Sequence, residues 1–93
     1  MRAIGSIEHP IYKITVFKND GRTSVKFETA LYEQTYKLGD DERFSTLEAV
    51  QAWVDAPLLD QIGETFRLMH QSRLEAMERR FPAAQQAVFE EII

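Results

Sequence analysis

The chain has 93 residues, 44% of them hydrophobic and 28% charged, with a net charge of −4. That length suits a single domain over 1–93 with one core, and it leaves little material for a deep enclosed active site. The absence of cysteine excludes disulfides, thiolate zinc sites and a cysteine nucleophile. No signal-peptide core and no run near the ~20 apolar residues of a membrane span is present, so a soluble, cytoplasmic protein away from the membrane is expected.

The chain divides into a β half over 1–38 and an α half over 45–93, joined by Gly39-Asp40-Asp41-Glu42. No internal repeat or low-complexity tract is evident. The first strong segment is Ile11–Lys18, rich in β-branched and aromatic residues, in which Tyr12, Ile14 and Val16 alternate with Lys13, Thr15 and Phe17. Asn19-Asp20-Gly21-Arg22 follows, and Asp-Gly favours a type I′ turn because both central residues need positive φ. The next strand is Thr23–Glu28.

A two-residue loop at Asp20-Gly21 opposes Val16 to Val25 and Ile14 to Phe27. Opposed residues share a face, so these four make one apolar patch. A three-residue loop would split the patch, so the hydrophobic pattern selects the two-residue loop. Phe17, Lys13 and Lys26 then point outward.

Past Phe27 the apolar phase changes, from Val25, Phe27, Thr29 and Leu31 to Tyr32, Tyr36 and Leu38. This predicts a turn near Thr29-Ala30-Leu31 and a further strand over Tyr32–Leu38, although no Gly, Asn or Pro marks the turn. Ala3–Glu8, ended by His9-Pro10, is a candidate extra edge strand. The expected sheet is therefore an antiparallel meander of three strands, or four with this edge.

Ser45-Thr46-Leu47-Glu48 reads as a capping box opening a short helix through about Val54. Pro57, well tolerated in a first helical turn, starts a long helix through Arg80. Phe81-Pro82 interrupts it, and Ala83–Ile92 suits a short C-terminal helix. The fold class is α+β: a meander, then a short, a long and a short helix. In outline a three-stranded meander followed by a helix is shared with several small DNA-binding modules, but element order does not fix function.

Along the long helix, Leu58, Leu59, Ile62, Phe66, Met69, Ala76 and Met77 fall in one stripe that also contains Arg73 and Arg80. A helix of this length spans roughly 36 Å and an eight-residue strand roughly 26 Å, so the helix is expected to overhang its sheet. Gly63 interrupts its interior, at about 1 kcal/mol relative to alanine.

Charge is unevenly placed. Residues 1–38 carry six Lys/Arg against four Asp/Glu, 39–66 one against seven, 67–81 four against two, and 82–93 none against two. Arg67, Arg73, Arg79 and Arg80 form one candidate partner or anion surface, since guanidinium matches phosphate and carboxylate; the bland alternative is a solvated helix end favoured by its dipole. The outer sheet face, with Phe17, Lys13 and Lys26, is the other candidate. His70 is a lone histidine with no second one a helical turn away, so nothing resembles a metal triad, and Asp40-Asp41-Glu42 lacks the frame of a calcium loop. No cofactor, metal site or catalytic constellation is implied.

Three functions are open. The first is a non-enzymatic interaction module that self-associates or binds a partner protein, suggested by the helix overhang and the apolar tail Val88–Ile93. The second is a nucleic-acid or polyanion binder using Lys13, Lys18, Arg22 and Lys26 or the Arg67–Arg80 face, which the net charge does not favour. The third and weakest is an enzyme centred on His70 with Glu64 or Arg67.

Overall fold

The computed structural model of the protein describes residues 1–82. Four strands, β1 (Arg2–Ile7), β2 (Lys13–Asn19), β3 (Arg22–Glu28) and β4 (Glu33–Gly39), form one antiparallel sheet in the order β1-β2-β3-β4. A 3₁₀ turn at Glu42–Phe44 leads to α1 (Leu47–Trp53) and α2 (Ala56–Arg80). The α+β meander followed by a short and a long helix is as expected, and Ala3–Glu8 does supply a fourth strand. The short C-terminal helix expected over Ala83–Ile92 lies outside the described residues.

The β2–β3 hairpin has the register that the apolar pattern selects. Asn19 faces Arg22, Val16 faces Val25 and Ile14 faces Phe27. Asp20 and Gly21 have φ of 52° and 75°, the left-handed pair that a type I′ turn requires. Ile14, Val16, Val25 and Phe27 are each at most 1% exposed. With Ile7, Val50 and Ile62 they make the core of residues 1–62.

The two outer hairpins use a different turn chemistry, which no Gly-containing pair signals. In the β3–β4 loop, Tyr32 N–H donates to Thr29 Oγ1 at 3.1 Å, and Thr29 N–H donates to the Tyr32 carbonyl at 2.9 Å. In the β1–β2 loop, the N–H groups of Ile11 and Tyr12 both donate to His9 Nδ1 at 3.1 Å. The His9 ring also stacks on Tyr12, with centroids 4.8 Å apart. The two segments, Glu8-His9-Pro10-Ile11-Tyr12 and Glu28-Thr29-Ala30-Leu31-Tyr32, match in Glu, a branched apolar residue and Tyr. This short local repeat is missed by a search for longer self-similarity.

Each outer strand carries a bulge. Ile4 is the extra residue of β1 between the Ala3–Phe17 and Gly5–Val16 pairs, and Leu38 that of β4 between Thr23–Gly39 and Ser24–Lys37. The β1 bulge brings Gly5 onto the core face. There a Cβ would sit 2.6 Å from Leu47 Cδ2, so the glycine leaves room for the Leu47 side chain of α1 against β1.

The capping-box expectation is corrected by one position. The N-cap of α1 is Thr46, whose side chain accepts from Ala49 N–H at 3.1 Å. Ser45 instead closes the preceding 3₁₀ turn, its N–H donating to the Glu42 carbonyl. Ser45 has helical backbone angles while Thr46 is extended, and only an extended residue aims its side chain at the N–H three positions on. α2 is capped by Asp55, which accepts from Leu58 N–H at 3.0 Å.

Polar and aromatic contacts join these helices to the sheet. Buried Thr23 donates its hydroxyl to the Phe44 carbonyl at 3.0 Å. Tyr36 O–H donates to Gln34 Oε1, and Gln34 Nε2 donates to the Ile62 carbonyl. Edge-to-face rings run from Phe27 to Tyr36 to Trp53 to Phe44. The chain clusters into two compact units, Met1–Ile62 and a second beginning at Gly63.

Candidate functional site

The outer face of the sheet is set by strand alternation. On β2 it presents Lys13, Thr15, Phe17 and Asn19; on β3, Arg22, Ser24, Lys26 and Glu28; on β4, Glu33, Thr35 and Lys37. Phe17 and Lys26 are brought together there, the Lys26 ammonium lying 5.3 Å from the Phe17 ring centroid. Lys26 also pairs with Glu28 at 3.4 Å. A π face of Phe17 is thus already partly occupied by a cation from the same sheet. Lys13 lies directly across from Glu28.

The face is polarised along the strands. Near the Asp20-Gly21 turn stand Arg22 and Lys37, with Ser24 directly opposite Lys37. At the far end Glu28 and Glu33 oppose one another. Lys37 is not among the residues expected from sequence. Its placement depends on the β3–β4 register and on the bulge at Leu38, neither of which has a local signature.

The helix arginines are not equivalent. Arg67 forks onto Glu64, with Nη2 to Oε1 at 2.6 Å and Nε 3.2 Å from both oxygens, and reaches Gln71 with Nη1. That hydrogen bonding, and the charge behind it, holds the Glu64 carboxyl below its usual range and the Arg67 guanidinium above its own. Arg80 lies over the Phe81 ring, 4.9 Å from the centroid. Arg79 is exposed, and Arg73 is half-exposed. Lys13, Phe17 and Lys26 belong to the first unit and the four arginines to the second.

In the acidic connection, Asp41 is tied to Arg43 two residues on. Its carboxylate accepts from Arg43 Nη2 at 2.7 Å, from Nε at 3.1 Å and from the Arg43 backbone N–H at 2.9 Å. The side-chain bonds to Arg43, then the backbone one, bring the Asp41 pKa from 3.8 down to about 2.

Among the described residues there is no group of three or more His, Cys, Asp or Glu side chains placed to hold a metal ion. Glu64, the carboxylate named with His70 in the enzymatic alternative, is engaged by Arg67. No helix among the described residues is long and apolar enough to cross a membrane. No protein-family model, curated protein or solved structure matches the chain.

Proposed function

We propose that the protein is a non-enzymatic interaction module that self-associates through α2 from Gly63 onward. The supporting observation is that the second compact unit contains, among the described residues, one helix. Beyond Phe66, which is already buried, that helix carries Met69 and Met77 on one face, both half-exposed. A lone helix cannot bury its own apolar face and gains its stability from packing that face on something else. A second copy suits the sequence: Arg73 and Arg80 share the stripe, while the tail Val88-Phe89-Glu90-Glu91-Ile92-Ile93 combines apolar residues with the opposite charge.

Sedimentation of the full chain over a concentration series tests this. Mass should rise with concentration, and Met77→Lys should shift the rise to higher concentration. A strict monomer at the highest accessible concentration rejects the reading.

The polyanion reading has less support. Lys26 and Arg67 are each held by a carboxylate. A strand of nucleic acid laid along the outer face would also meet Glu28 and Glu33 side by side.

A further inference from the structure

The same polarisation that disfavours a long polyanion leaves a compact site at the other end of the face. A cleft of about 450 Å³ opens there, lined by Asn19, Arg22, Ser24, Lys37 and Asp40 among others. Its volume lies in the range of small-molecule sites. We propose that this cleft binds the phosphate group of a small phosphate monoester, held by Arg22 and Lys37 with Ser24 between them.

Three features carry this. Lys26, Arg43 and Arg67 each pair with a carboxylate from their own segment, whereas Arg22 and Lys37 form no ion pair with any described residue, Asp40 included. The register also converges the donors: Ser24 is two residues from Arg22 on β3 and directly across from Lys37 on β4. A guanidinium fork, an ammonium and a hydroxyl thus line one cleft, the donor set a tetrahedral oxyanion uses. Finally, the side chains that line the cleft include two cations and one acid, a single net positive charge. That suits one phosphate group with a neutral body, and Asp40 and Asn19 offer acceptors to hydroxyl groups on that body.

The test is a ¹H–¹⁵N titration of the full chain with inorganic phosphate, with glycerol phosphate and with a short single-stranded oligonucleotide, each against sodium chloride at matched ionic strength. The proposal expects saturable shifts at the amides of residues 19–24 and 37–40, with glycerol phosphate binding at least as tightly as phosphate. Arg22→Gln and Lys37→Gln should each weaken binding about tenfold, the loss expected for one charge-assisted hydrogen bond. Lys13→Gln should leave it unchanged. Both cleft cations are exposed, so the variants should keep a dispersed spectrum; if either does not, Ser24→Ala serves in its place, with a smaller weakening expected. Shifts equal to those in chloride, or indifferent to all these substitutions, overturn the proposal. So does tighter binding of the oligonucleotide with shifts spreading along the outer face to Lys13 and Lys26. Self-association can fail without affecting this result, because it reads a different unit of the chain.

Discussion

At the residue scale, a tight turn is set by which side chains tolerate its backbone angles. Asp20-Gly21 signals its turn because few residue pairs tolerate two left-handed positions. The N-cap was legible only to within one residue, since Ser45 and Thr46 both carry a capping hydroxyl and the choice depends on where the 3₁₀ turn ends. The Asp41–Arg43 fork was missed because nothing in Asp40-Asp41-Glu42-Arg43 says which acid turns back. It carries a pH signature. The Asp41 pKa is lowered in the folded protein, so its contribution to stability is complete above its ordinary value of 3.8 and is lost as pH falls towards about 2. Asp41→Asn keeps a capping oxygen but loses the charge. It should therefore be less stable than the native chain at neutral pH, with the difference closing across that acid window in urea unfolding curves.

At the element scale, alternation reports a strand's faces but not its neighbour. The outward positions of Lys13, Phe17 and Lys26 followed from the β2–β3 turn alone, because its loop length fixes the register. The β3–β4 pairing was not accessible in the same way. Its turn is built by the Thr29 side chain, and its bulge at Leu38 advances the register by one. The opposition of Glu28 and Glu33 could not be read without that pairing. Like charges directly across a sheet destabilise it, and opposite charges contribute about 0.2–1 kcal/mol. Glu33→Lys converts one arrangement into the other. It should raise the urea midpoint with an unchanged slope, and added salt should reduce the gain.

At the scale of the whole molecule, the α+β order and the apolar patch of the central hairpin were legible, because burial of one sheet face leaves a period-two record. The division after Ile62 was not, since the apolar period of α2 runs across Gly63 without a break. Hydrogen exchange should reflect both. The slowest amides should be those of β2 and β3, which are bonded on both sides and carry Ile14, Val16, Val25 and Phe27. The amides of α2 past Gly63 should exchange faster in dilute solution and slow as concentration rises. Concentration-independent exchange there would count against association through this helix.

The bulges at Ile4 and Leu38 bear on how copies can meet. They fall on β1 and β4, the two outer strands of the order β1-β2-β3-β4 among the described residues. A sheet that grows by adding strands needs a straight row of unpaired backbone groups at its rim, and a bulge twists that row out of line. Both rims are interrupted in this way. Both interruptions work against stacking into fibres through the backbone, so that any association between copies would fall to side chains, where charge and shape can limit how many copies join.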